Sequence, residues 1–230
     1  MTNNKIEEIR DSADRLINLR EFKELTGIYP HQFKFDKTNL NGEYVTKYNN
    51  GNIKTITHYK NGVKDGKYEE YYENGNIFIK CNYKNNILDG EYEEYYENGN
   101  IKLKYNYKNG KLDGEYKVYN DKGKIHYKYT YKNGKLDGEY IKYYNSGKIE
   151  EKGNFKNDEI NGKYITYYPN GKIQSIQNIK TNKSNGKYIK YGEYFLYYEN
   201  GNIKEKRNYK NGKLVGKIIK YSPNGTMIKT

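Results

Sequence analysis

A glycine with a tyrosine two places on recurs at a fixed interval along most of this chain. The glycines Gly42, Gly66, Gly90, Gly114, Gly138 and Gly162 stand 24 residues apart, and the same interval returns between Gly192 and Gly216. A constant period of roughly 20–50 residues marks one small unit stacked on copies of itself. No such unit buries its apolar side alone, so the fold has to be an array in which each unit packs on its neighbours.

Each unit holds two strand-like runs, taken here from Tyr92–Glu97 and Asn100–Lys108. Asn98-Gly99 between them reads as a two-residue hairpin turn, which needs positive φ at both positions. Equivalent turns stand at Asn74-Gly75, Asn170-Gly171, Asn200-Gly201 and Asn224-Gly225. The second run ends in Asn109-Gly110-Lys111-Leu112-Asp113, read as a longer turn into the next unit. A two-residue turn sets Tyr96 opposite Ile101, Glu94 opposite Leu103 and Tyr92 opposite Tyr105, all on one side because side chains alternate along a strand.

That side collects the Tyr44, Tyr68, Tyr92 column, the Ile53, Ile77, Ile101 column and the Tyr59, Tyr83, Tyr107 column, and is read as the packed side. The other side is charged, with solvated glutamates such as Glu93. It carries one exposed aromatic column: Tyr71, Tyr95, Tyr119, Tyr143, Tyr167 and Tyr197. Lys80, Lys104 and Lys128 run beside it. Aligned aromatics on a solvated side, rimmed by cations, fit a contact surface for a protein partner. In the irregular unit, Gly186-Lys187-Tyr188 and Gly192-Glu193-Tyr194 repeat one start, so Gly186–Tyr191 reads as a six-residue insertion that bulges or lengthens a strand.

The pattern Gly90-Glu-Tyr-Glu-Glu-Tyr-Tyr-Glu-Asn-Gly-Asn-Ile-Lys102, closed by Asn109-Gly-Lys-Leu-Asp-Gly114, resembles the variant MORN repeat of bacterial proteins and large DNA viruses. The resemblance covers residues 32–230 and implies a mainly β fold, an elongated single sheet of successive β-hairpins. It also implies a scaffold for proteins or an attachment to membranes. Some bacterial members carry an antitoxin label. The chain lacks the tryptophan of the classical repeat.

Residues 1–27 fall outside that resemblance. Ile6, Ile9, Ala13, Leu16 and Ile17 make one apolar stripe at helical spacing, which predicts a helix over residues 4–19. It serves either as a cap on the first repeats or as a docking helix. The two expected domains are this helical segment (1–27) and the array (28–230). The array begins in half-unit register, with a strand over Gln32–Lys37.

Composition narrows the function. The chain carries 31 tyrosines in fixed columns and a formal charge of +13. The first thirty residues hold five basic and six acidic side chains, a net of −1, which leaves +14 on the repeats. Such a surface attracts acidic proteins or anionic lipid, and the membrane is the alternative partner. Nucleic acid is not expected, because the basic and aromatic interleaving is the repeat itself. The single Cys81 reads as a packed strand residue, and His31, His58 and His126 have no partners at metal-ligand spacing. No catalytic motif, metal site or cofactor site is expected. The N-terminus lacks the continuous apolar core of a signal peptide, so the expected location is cytoplasmic.

Overall fold

The computed structural model describes residues 7–10, 16–18, 40–182 and 185–228. The described residues are mainly β, with no helix among them. They fall into two compact units, Met1–Leu112 with Asp121–Gly123, and Asp113–Asn120 with Lys124–Thr230. In the first unit, β3 (Gly42–Lys47), β4 (Ile53–Lys60), β5 (Val63–Tyr71), β6 (Ile77–Lys84), β7 (Ile87–Tyr95), β8 (Ile101–Lys108) and β9 (Lys111–Leu112) pair in that order, each antiparallel to the next. The second unit begins with β10 (Gly114–Tyr119), β11 (Ile125–Lys132), β12 (Lys135–Tyr143), β13 (Ile149–Lys156) and β14 (Glu159–Tyr167). It continues with β15 (Ile173–Thr181), β16 (Tyr188–Tyr197), β17 (Ile203–Lys210), β18 (Lys213–Tyr221) and β19 (Met227–Ile228), again antiparallel in sequence order.

The described parts of the N-terminal segment are two short strands, β1 (Glu7–Arg10) and β2 (Leu16–Asn18). They pair with each other, and β1 also pairs with β3. These few residues are extended where the apolar stripe predicts helix. The rest of 1–27, and with it the helical cap as a whole, lies outside the described residues, as does the strand expected over Gln32–Lys37.

The two turns of the repeat exchange the roles that the sequence predicts for them. Asn109 and Gly110 have φ of 50° and 73°, and Lys108 pairs with Lys111 directly across them. This is the two-residue turn with positive φ at both positions, and it recurs at Asn61-Gly62, Asn85-Asn86 and Asn157-Asp158. At the other end only Gly99 has positive φ, 86°. The Gly99 N–H donates to the Tyr96 carbonyl at 2.9 Å and the Tyr96 N–H to the Asn100 carbonyl at 2.8 Å, which leaves Glu97, Asn98 and Gly99 as a three-residue loop. The Asn98 side chain works as a local acceptor instead, taking the Asn100 N–H at 3.0 Å.

The longer loop moves the register by one residue. Glu94 faces Leu103 and Tyr92 faces Tyr105, as the alternation predicts, but Ile101 stands opposite Tyr95 and not Tyr96. Directly opposed residues share a side. The isoleucine column therefore belongs with the Tyr95 column, on the side expected to be charged and to carry only that aromatic column. Phe78, one residue past Ile77, turns to the other side and packs on Tyr72, ring centroids 4.9 Å apart.

The leading glycine sits in a β-bulge. Between the pairs Cys81–Tyr92 and Tyr83–Leu88, β6 contributes one residue and β7 contributes Asp89, Gly90 and Glu91. Gly90 takes φ of 100°, which a side chain rarely adopts. Asp89 is thereby aimed at the next two-residue turn, where it accepts the Asn109 N–H at 2.9 Å. Asp113 does the same for Asn133 at 3.2 Å. The Leu-Asp-Gly motif is thus a bulge and a cap in one.

The irregular unit keeps its strands and changes its turn. Lys180 pairs with Ile189 in the normal column, and the hairpin then extends through Thr181–Tyr188. The extra residues thus lie between Thr181 and Tyr188, so they replace a two-residue turn and are not Gly186–Tyr191. Gly192 is the bulge glycine of this unit, and Tyr188 is left 63% exposed.

No thick core forms on either side. On the Tyr92 side, Cys81 and Thr57 are buried, and aromatic rings meet edge to face, Tyr68 with Tyr83 at 5.9 Å and Tyr140 with Phe155 at 6.0 Å. On the Tyr95 side, Val45, Glu93 and Ile141 are buried as well. Both sides are half-buried, which corrects the division into one packed and one solvated side.

Candidate binding face

The tyrosine column Tyr71, Tyr95, Tyr119, Tyr143, Tyr167 and Tyr197 is half-buried at every position, not exposed as expected. Its backbone is held by the neighbouring tyrosine column. The Tyr48 hydroxyl donates to the Tyr71 carbonyl at 2.6 Å and Tyr72 to that of Tyr95 at 2.7 Å. Tyr144 donates likewise to Tyr167 at 2.6 Å and Tyr168 to Tyr197 at 2.7 Å. Each bond joins one repeat to the next, and each ends on a residue of the candidate column. The signal for it was the Tyr-Tyr doublet that most units carry, as at Tyr71-Tyr72 and Tyr143-Tyr144.

The column's own hydroxyls turn inward. Tyr95 donates to Glu93 at 2.5 Å and Tyr71 to Glu69 at 2.8 Å. Burial, then the bond to Glu69, pushes the Tyr71 phenol up to about 12. Tyr95 is raised for the same reasons, burial first and Glu93 second. Glu93 itself is only 9% exposed, which corrects its reading as a solvated position. Burial pushes its pKa up, but hydrogen bonds from Lys104 and Tyr95 outweigh this and hold it below the ordinary range.

The lysines divide by context. Lys104 bonds Glu93 at 2.7 Å and also Glu91. Lys128 bonds Glu115, which also takes Lys117 at 2.7 Å. Lys80 is exposed and stands opposite both Glu69 and Glu93.

Register brings these residues into one row across the strands. In the first unit Val45 faces Ile56, Ile56 faces Glu69, Glu69 faces Lys80, Lys80 faces Glu93, and Glu93 faces Lys104. The charged part of this row alternates in sign and neutralises itself. In the second unit the row starts with Lys117 facing Lys128, and beyond them the glutamate positions are apolar: Ile141 faces Lys152, Lys152 faces Ile165, and Ile165 faces Ile176. Ile176 then faces Phe195, Phe195 faces Lys206, and Lys206 faces Ile219. The sequence reading missed this row. The available signal was a column that turns from charged to apolar along the chain (Glu69, Glu93, Lys117, Ile141, Ile165, Phe195) while the lysine column beside it is largely kept.

The Cys81 thiol is 2% exposed and pushed up to about 11 by burial, as befits a packing residue. Among the described residues no group of three or more His, Cys, Asp or Glu is placed to hold a metal ion.

The family model for the MORN repeat variant matches residues 40–61, 64–85, 88–109, 112–133, 136–157, 160–181 and 190–211. The chain therefore belongs to the MORN repeat variant family. The matched windows each run from the bulge motif to the two-residue turn, and the gap at 182–189 falls on the lengthened loop. No curated protein matches the chain. Among solved structures, a chain of "Crystal Structure of TcdB2-TccC3-Cdc42" aligns at 12% identity over 81% of this chain and 13% of its own, with a TM-score of 0.22. A likeness that weak carries no argument about this protein.

Proposed function

We propose that this chain is a non-enzymatic repeat scaffold that binds a protein partner on the face carrying Tyr71, Tyr95, Tyr119, Tyr143, Tyr167 and Tyr197. One observation carries the reading: each tyrosine of this column is half-exposed and stands directly opposite an isoleucine, as Tyr95 does Ile101 and Tyr167 does Ile173. Within each unit, an aromatic and aliphatic row of this kind in so polar a chain has the make-up of an interaction site. Tyrosine offers large contact area at low entropic cost, and here its backbone is already fixed by the inter-repeat hydroxyl ladder. An antitoxin would be one form of such a scaffold, its partner being the cognate toxin.

The test is the triple variant Tyr95→Ser, Tyr119→Ser and Tyr143→Ser, measured for partner capture and for melting. Lost capture at little-changed melting temperature supports the reading. A collapse of melting temperature in the triple variant would assign the column to the fold alone.

A second reading, peripheral attachment to anionic lipid, draws on a different edge. The lysines preceding the two-residue turns are exposed: Lys60, Lys84 and Lys108 in the first unit, Lys132, Lys156 and Lys210 in the second. Each lysine near an anionic surface contributes about 1 kcal/mol, within a Debye length. Flotation with phosphatidylserine vesicles at low salt tests it, and no flotation removes it.

A further inference from the structure

We infer that the second unit's part of this face takes an acidic, apolar peptide segment: two carboxylates flanking apolar side chains along the row Lys152, Ile165, Ile176, Phe195 and Lys206. This deepens the proposed protein-binding function and rests on it. The row is set by direct register across five consecutive strands, β13 to β17. In the first unit the equivalent lysine, Lys104, is held by Glu91 and Glu93. Here the Glu93 positions are Ile141, Ile165 and Phe195, and although the Glu91 position stays acidic as Glu139 and Glu193, neither Lys152 nor Lys206 makes an ion pair among the described residues. Lys206 lies 5.6 Å from the Phe195 ring centroid and 5.7 Å from that of Tyr221, a cation framed by rings.

A second observation falls at the same place. A cleft of about 260 Å³ opens beside Lys152, lined also by Glu139, Gly153, Asn154, Lys163 and Ile165. Lys163 too has no ion-pair partner among the described residues, so cations outnumber the one carboxylate there.

Charge complementarity fixes the occupant. A cation beside apolar surface is matched by a carboxylate beside apolar side chains, and desolvation on contact strengthens the pair. Strand spacing puts Lys152 and Lys206 ~19 Å apart, which about six extended residues span. A lipid surface is matched worse, because it rewards the number of cations, and more exposed lysines stand at the two-residue turns.

The experiment uses the full chain and a fluorescein-labelled peptide, Asp-Ser-Leu-Ser-Leu-Ser-Asp, in which an extended backbone puts both aspartates and both leucines on one side. Anisotropy is compared with the lysine-for-aspartate and serine-for-leucine peptides. The aspartate peptide alone should bind, and Lys152→Glu with Lys206→Glu should weaken it about tenfold while admitting the lysine peptide. Lys111→Glu, an exposed lysine off the row, should change neither, and unchanged melting excludes a folding defect in the double variant. Equal binding of both charge forms, no binding of the aspartate peptide, or undiminished binding to the double variant overturns the inference. So does binding confined to phosphatidylserine vesicles. If the double variant still captures the protein partner but the tyrosine triple variant does not, this inference falls and the broader reading stands.

Discussion

At the scale of the residue, tyrosine does three jobs here that another side chain could not combine. It packs edge to face on one side, as Tyr68 does with Tyr83. It ties neighbouring repeats together through its hydroxyl, as Tyr72 does with the Tyr95 carbonyl. It also forms the candidate face. Tyr72→Phe isolates the second job, since the ring stays and only the bond to the Tyr95 carbonyl goes. The expected loss is about 1 kcal/mol, read from urea unfolding. The tyrosines also predict a pH dependence whose sign follows from their raised pKa values. Tyr71 and Tyr92 are each pushed up to about 12, chiefly by burial. The unfolded phenol ionises near 10, so below that pH both states keep the proton and the contribution is whole. Above it the unfolded chain ionises first, and stability falls between about pH 10 and 12. Melting temperature should drop across that window, with phenolate absorbance rising in step with unfolding. A protein whose tyrosines ionise fully near pH 10 while still folded would contradict the packing described here.

At the scale of the element, the hairpin was legible in the sequence but its two ends were exchanged. Asn-Gly at both ends looked alike, and propensity alone favours a two-residue turn at either. The choice is made by what each asparagine does afterwards. Asn109 adopts positive φ and is capped through its N–H by Asp89. Asn98 keeps ordinary φ and uses its side chain twice, as acceptor for the Asn100 N–H and as donor to the Asp121 carbonyl at 2.8 Å. Glycine substitution separates the two roles. Asn109→Gly keeps the conformation and should change stability by less than about 0.5 kcal/mol. Asn98→Gly deletes two hydrogen bonds and should cost about 1–2 kcal/mol. Equal effects in thermal melts would restore the reverse assignment. The column assignments followed the turn. Tyr92, Leu103 and Tyr105 fell on the predicted side because they lie before the register shift, and Ile101 did not because it lies after it. The inserted segment was misplaced for a related reason: Gly186 kept the period, but the bulge that needs a glycine is at Gly192.

At the scale of the whole molecule, stability has to come from neighbours, because neither side of the sheet builds a deep core. Buried apolar side chains are few, Val45, Cys81, Ile141, Ile160 and Ile179 among the described residues, and they are scattered over both units. The period made this much legible from sequence, whereas the row through Lys152 and Lys206 was not. That row arises only when register sets residues of five strands side by side: its lysines belong to a column that repeats along the chain, but Ile165, Ile176 and Phe195 between them follow no repeated pattern. An array of this kind is stabilised by each repeat and by its contacts with adjacent repeats, so damage should stay local. Tyr92→Ala is the sharpest test. The ring stacks on Tyr105 with centroids 4.6 Å apart and meets Tyr107 edge-on at 6.4 Å, so truncation strips contacts from both strands of one hairpin. For a half-buried aromatic the expected cost is about 3 kcal/mol, the low end of the range for core positions. Amide hydrogen exchange should show protection falling through β6, β7 and β8, while β14 to β18 in the second unit keep theirs. A loss spread evenly from Gly42 to Ile228 would mean that the repeats melt as one cooperative body, and that nearest-neighbour contacts are not what holds this chain together.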